Sequence, residues 1–232
     1  MNNIKIGLVV ADTEEYVGLY ETIKEFKDIK EIKLFGHKGH QFTVDNKTVI
    51  SVLCGIGKVN AAMATTALID NGCNIILNYG LSGGVYNVSR GEVIAPDSFV
   101  EHDFDMTGIG YKPFQKPAQE IYVYNADKKL LEITKKVINN NIVSTAVSGD
   151  SFICDSKSRD FLKDNFGTST CDMETAAIAS VCHFGKVPFA TVRKVSDDAG
   201  EDAKDSYREM NNLNETALPI IMIHIIKNIG EI

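Results

Sequence analysis

The 232-residue chain has no tryptophan, five prolines, five cysteines and only four arginines among its 24 basic residues. With 31 acidic residues the formal charge is −7, and no window gathers the lysines into a stripe that could follow a phosphate backbone. Nucleic acid and acidic membrane are therefore not expected partners. The cysteines (Cys54, Cys73, Cys154, Cys171, Cys182) are odd in number and form no Cys-x-x-Cys pair, which argues against a disulfide framework and suits a reducing, cytoplasmic setting. Five histidines without metal-ligand spacing make a metal site unexpected. No apolar run approaches the ~20 residues of a membrane span. Ile4 to Ala11 carries Lys5 and is too short for a secretion signal, and Leu218 to Ile226 is interrupted by Pro219 and His224.

What is present is 44% hydrophobic residues, enough for a sizeable core. Short β-rich runs alternate with longer helical ones, the pattern of an α/β fold with a largely parallel sheet. One domain over 1–232 is expected, since α/β units of roughly 200–250 residues are common. Ile4–Val10 predicts a buried strand and Thr13–Phe26 a helix capped by Asp12 or Thr13. Strands with hairpin turns fill 29–54, and Gly55-Ile-Gly-Lys58 opens a helix to about Asn71. Asn74–Tyr79 predicts a buried strand ending in Gly80-Leu-Ser-Gly-Gly84. The irregular stretch from Ser98 to Tyr124 has the length of a functional loop and is expected beside the substrate. Then follow helix 127–140, strand 143–149, helix 156–166, strand 168–172 and helix 174–184 with Gly185 as its terminator. Strand 187–196 and one or two helices over 203–229 complete the chain.

Ligands in open α/β sheets gather at the carboxyl ends of strands, where Asp12, Gly80, Asp172 and Asp197 are expected. Gly55-Ile-Gly-Lys58 lacks the spacing of a phosphate-binding loop and reads first as a tight strand-to-helix turn. The glycines of 80–84 permit either close packing or approach of a ligand to the backbone. Glu14 and Glu15 suit the start of a helix dipole, but their place after the first strand also points them toward a sheet-end cleft. Asp172-Met-Glu174 joins a strand to a helix; two acids around a thioether fit paired sugar hydroxyls with one apolar wall. Asp197, after Ser196, is either a helix N-cap or a functional acid.

With these residues in place, the whole chain resembles the 5′-methylthioadenosine/S-adenosylhomocysteine nucleosidases of the purine nucleoside and uridine phosphorylase superfamily. The segments that carry the resemblance are Ile6–Ala11 with Glu14-Glu15, Gly55–Val59, Gly80–Gly84, His102–Thr107, Val147–Ile153, Asp172–Glu174 and Val192–Asp197. The resemblance implies a single three-layer α/β/α domain around a mixed, partly barrel-like sheet. It also implies a homodimer, a small nucleoside substrate, and no cofactor or metal. The implied reaction is hydrolysis of the N-glycosidic bond of 5′-thio-substituted adenosines, with 5′-deoxyadenosine as a further substrate. Asp197 would protonate N7 of adenine and so needs a raised pKa. Glu15, partnered by Arg193, would activate water. Glu174 would accept from the ribose 2′- and 3′-hydroxyls with Met173 against the sugar. Phe152 would stack on adenine and the Ile153 backbone read its edge. Ile56, Ser82, Asp172 and Ser196 would complete the substrate-binding set.

Three positions depart from the family pattern. Leu81 stands where many of these nucleosidases have Ser near the attacking water, with Ser82 displaced by one. Asp172 replaces the commoner Glu. Asp12 stands where a small or apolar residue often borders the 5′ substituent, making that end more polar. Two other functions are compatible with the fold: a phosphate-dependent phosphorylase, disfavoured by few arginines and by Glu15 where an anion would lie, and a non-catalytic nucleoside-binding protein.

Overall fold

The computed structural model describes residues 4–117, 119–211 and 216–230. The first strand, β1 (Lys5–Val10), is buried at five of its six positions. It lies in parallel between β4 (Lys47–Leu53) and β5 (Ile75–Tyr86), as expected of an apolar run covered on both faces. Beyond β4, the hairpin strands β3 (His37–Val44) and β2 (Lys30–Leu34) complete one wing antiparallel. On the other side β5 runs antiparallel to β10 (Ser169–Asp172), which continues in parallel through β9 (Thr145–Ser148) to β7 (Ser98–Glu101) and then β8 (Val123–Asn125). The strand β11 (Phe189–Asp197) pairs in parallel with β5 and carries the two-residue β6 (Val93–Ile94). The sheet is thus mixed, branches at β5 and does not close.

Helices cover both faces. On one, α1 (Thr13–Ile23), α3 (Lys128–Ile138) and α7 (Ala217–Asn228) bring Tyr16, Leu19, Leu130, Met222 and Ile226 onto Leu8, Leu77 and Val192. On the other, α2 (Lys58–Asp70) and α5 (Thr175–Gly185) pack Ala61, Ala64, Leu68, Ala176 and Ile178 against Val9, Val52 and Ile76. Small alanines let those helices sit close to the strands. The remaining helices, α4 (Ser156–Phe166) and α6 (Ala203–Asn211), lie toward one end of the sheet. The three-layer α/β/α arrangement stands as expected, and no helix is long and apolar enough to cross a membrane among the described residues.

Three local expectations are corrected. The strand expected to stop at Tyr79 continues to Tyr86, because β10 and β11 flank it on both edges and keep its glycines in the ladder. Gly185 lies inside α5, and Lys186 at φ 54° takes the left-handed cap, its N–H donating to the Cys182 and His183 carbonyls. The segment 98–124 contains two paired strands, and its anchor is an ion cluster: Lys58 reaches Asp103 at 2.5 Å and Glu101 at 3.2 Å, while Asp103 accepts from the Asp150 N–H at 2.9 Å.

The glycines of β5 make room for side chains of this protein. A Cβ on Gly80 would stand within 3 Å of both the Arg193 guanidinium and a Glu15 oxygen, and one on Gly83 would crowd Cys171 and Asp197. Gly80→Ala is therefore expected to destabilise the fold by roughly 1–3 kcal/mol through overpacking. Gly108→Ala, which meets nothing within 4 Å, should stay within about 0.5 kcal/mol of wild type. Urea midpoints of the two variants check the contrast.

Candidate active site

Strand ends and adjoining turns enclose a cavity of about 250 Å3. The β1–α1 junction supplies Asp12 and Glu15, β5 supplies Leu81 and Ser82, the β10–α5 junction Asp172, Met173 and Glu174, and β11 Arg193, Ser196 and Asp197. Ile56, from the turn before α2, and Phe152 close it from the loops. Consecutive residues of a strand normally face opposite ways. A register shift between Val195 and Asp197 lets Ser196 and Asp197 both reach the cavity. Ile153 lines a smaller adjoining cavity of about 30 Å3, together with Phe152, Met173 and Asp197. All thirteen residues expected from the sequence therefore converge on one place.

Three wall residues were not anticipated, Ala11, Cys171 and Tyr207, while Gly83 comes from the 80–84 run that was read as open to a ligand. Tyr207 matters most, since its ring meets Phe152 edge-on at 5.5 Å across the mouth. The signal for it was a lone aromatic on the polar helix α6. No residue of 98–124 lines the cavity among the described residues, so that segment is not substrate-adjacent within this chain.

Arg193 lies beside Glu15, whose carboxyl its charge helps to hold ionised, but its ion pair is with another carboxylate. Arg193 is 2% exposed and its ion pair is with Asp172, Nη2 to Oδ2 at 3.2 Å. Its Nε donates to the Thr175 hydroxyl at 3.0 Å and Nη2 donates to the same oxygen. Asp172 also accepts from the Ser148 hydroxyl at 2.6 Å, the Thr175 hydroxyl at 2.5 Å and the N–H groups of Glu174 and Thr175 at 3.0 Å each. Burial alone would raise its pKa, but Arg193 and these donors hold it below the usual carboxylate value. Both of its oxygens are thus engaged by the protein at the cavity wall.

The other carboxyls shift the opposite way. Glu15 accepts from the Leu81 N–H at 2.7 Å, yet loss of water around its carboxyl pushes its pKa up to about 8. Glu174, capping the Gly57 N–H at 2.9 Å, is raised to about 7 by burial and by Asp172. Asp197 is 2% exposed and raised by burial, although the Ser196 hydroxyl (2.6 Å) and the Ala199 N–H (2.9 Å) donate to it. Those bonds form a local turn; α6 begins only at Ala203, so Asp197 is not its N-cap. Asp12 does cap α1, accepting from the Glu14 N–H at 2.8 Å. The Ser82 hydroxyl is buried in the wall and has no hydrogen-bond partner among the described residues. No group of His, Cys, Asp and Glu is arranged to hold a metal ion among the described residues.

Comparison with known proteins agrees with this architecture. The profile of the Phosphorylase superfamily matches residues 5–227. A 5′-methylthioadenosine/S-adenosylhomocysteine nucleosidase of Staphylococcus carnosus is 34% identical over 231 residues, covering 97% of this chain and 100% of that one. The crystal structure of the Helicobacter pylori nucleosidase of the same name, with butyl-thio-DADMe-Immucillin-A, superposes with a TM-score of 0.92 at 26% identity over 99% of this chain and 100% of that one. The futalosine hydrolase of the same organism gives 0.90 at 26% identity, over 97% and 98%. The chain belongs to the phosphorylase superfamily and, within it, to the 5′-methylthioadenosine/S-adenosylhomocysteine nucleosidase family.

Proposed function

We propose that the protein hydrolyses the N-glycosidic bond of 5′-substituted adenosines, with 5′-methylthioadenosine, S-adenosylhomocysteine and 5′-deoxyadenosine as its candidate substrates. The observation that carries this reading is one cavity holding an acid whose burial favours its protonated form, Asp197, and a base of raised proton affinity, Glu15. Asp197 gives its proton to N7 as the C1′–N9 bond breaks, so that adenine leaves neutral. Glu15 takes a proton from the water whose oxygen bonds C1′, giving the free (thio)ribose. Glu174 accepts from the 2′- and 3′-hydroxyls beside Met173, Phe152 stacks on the base, and the Ile153 backbone reads its edge. Arg193 acts from behind by fixing Asp172 and the start of α5.

Phosphorolysis fits poorly, because an incoming phosphate would meet the carboxyls of Asp12, Glu15, Glu174 and Asp197, with the Arg193 guanidinium already paired to Asp172. A second copy of the chain is expected to cover Ile56 and Val59, exposed at the cavity rim and the start of α2. Sedimentation equilibrium would reveal it as a dimer mass; a monomer at micromolar concentration would overturn the expectation.

Three results test the reaction. Adenine should appear from the three candidate substrates in phosphate-free buffer, and a panel that includes futalosine ranks the 5′ groups. Release that requires phosphate would replace hydrolysis by phosphorolysis. Asp197→Asn should still bind substrate but lose about 10²–10⁴-fold in kcat, and full activity would remove Asp197 from its role. The third result concerns Glu15, which ionises near 4.5 in an unfolded chain and near 8 in the folded one. Its stabilising contribution is therefore complete below about pH 4.5 and is lost as pH rises toward 8. In thermal melts, the Tm of Glu15→Gln relative to wild type should climb by several degrees from pH 5 to pH 8. A difference that does not change with pH would contradict the shift.

A further inference from the structure

Lys58, Asp103 and Asp150 line neither the main cavity nor the smaller one beside it, yet they close a ring of hydrogen bonds just outside. The Lys58 N–H donates to Asp150 Oδ1 at 2.8 Å, and the Asp150 N–H donates to Asp103 Oδ2 at 2.9 Å. The Lys58 ammonium then returns to Asp103 Oδ1 at 2.5 Å. Glu101 gives the same ammonium a second carboxylate at 3.2 Å, and Lys116 pairs with the other oxygen of Glu101. The side chains of Lys58 and Glu101 are only 17% and 14% exposed, so solvent screens this cluster less than a surface pair.

The ring joins two walls of the cavity that the sheet itself keeps apart. One wall is the turn at 55–58, which follows β4; the other is the loop at 150–153, which follows β9. Between β4 and β9 lie β1, β5 and β10. In the turn, Ile56 lines the cavity and the Gly57 N–H donates to Glu174 Oε1 at 2.9 Å. In the loop, Phe152 and Ile153 follow Asp150 by two and three residues. Gly57, at φ 102°, lets the two walls meet, since a Cβ there would stand 3.1 Å from Asp150 Oδ1. The loop has an anchor of its own, the Gly149 N–H on the Asp172 carbonyl at 3.1 Å. Loss of the ring would therefore release the turn rather than the loop.

On the hydrolase reading, on which this inference rests, adenine lies against Phe152 and Ile153 while the ribose hydroxyls meet Glu174. A nucleoside touches both walls at once and gains from both only where their spacing is fixed. We propose that Lys58, Asp103 and Asp150 are positioning residues, which hold the 55–58 turn against the 150–153 loop at the spacing that a nucleoside spans. The segment 98–124 thus acts on the site at one remove, through Asp103.

Three variants test this. Asp150→Ala removes the acceptor of the Lys58 N–H, Asp150→Asn keeps a side-chain oxygen there, and Lys58→Met removes the ammonium. Asp150 is exposed, so its variants are expected to fold. In Asp150→Ala and Lys58→Met, KM for 5′-methylthioadenosine should rise roughly tenfold, the scale of one hydrogen bond to a charged group. Their kcat should stay within about twofold of wild type, because Asp197 and Glu15 lie outside the ring. Asp150→Asn should bring KM back to within about threefold of wild type. The inhibition constant of free adenine, which meets only the loop wall, should change by less than about twofold in all three. A KM unchanged in both Asp150→Ala and Lys58→Met, or a loss shared equally by adenine and the nucleoside, would overturn the proposal. Absence of adenine release by wild type would instead defeat the hydrolase reading. Dissociation constants of the nucleoside and of adenine, taken by titration calorimetry, then decide for or against the ring on their own.

Discussion

The geometry of the cavity depends on one buried ion pair, Arg193 with Asp172, locked by the Thr175 hydroxyl. A guanidinium free to move among four other carboxyls would pull their pKa values down and hold each as an anion. With Arg193 paired to Asp172, its pull on Glu15 and Glu174 is smaller than the effect of burial, and the remaining acids respond chiefly to burial. Asp197 can then keep a proton and Glu15 can hold one tightly once it is accepted. A pair of this kind contributes little to stability by itself, since desolvation offsets attraction. Its effect lies in distributing charge among the acids around the cavity.

The α/β class, the strand ends and the convergence of the thirteen candidate residues were legible because each follows from local pattern or from an ordered set of motifs. The long β5 was not, since glycine at positions 80, 83 and 84 reads as the end of a strand unless its neighbours on both edges are known. The ion pair of Arg193 was not legible either: the resemblance implies Glu15 as its neighbour, and only the pairing of β10 and β11 with β5 shows that Asp172 takes the contact. Tyr207 escaped because nothing in the polar sequence of α6 says which of its faces turns inward. The 98–124 stretch was mistaken for a wall of the cavity because composition marks a loop without saying where the loop is tied, here through Lys58 to Asp103.

Glycine in this fold serves its own side chains. The missing Cβ at Gly80 gives Glu15 and Arg193 a common shelf, and the Leu81 N–H immediately after it fixes the Glu15 oxygen. Backbone and catalytic candidates are thereby held by the same few atoms, which is the rigidity that the role proposed for Glu15 needs.

The branching of the sheet at β5 carries a consequence for how the protein fails. One strand is bonded to β1, β10 and β11, and the elements that follow or include those three neighbours carry Glu15, Glu174 and Asp197. The walls that carry Glu15, Glu174 and Asp197 cannot peel away without breaking ladders in the middle of the domain. Fraying at the outlying hairpin of β2 and β3 leaves these ladders intact. Heat should then scatter these three carboxyls and melt the sheet in a single event.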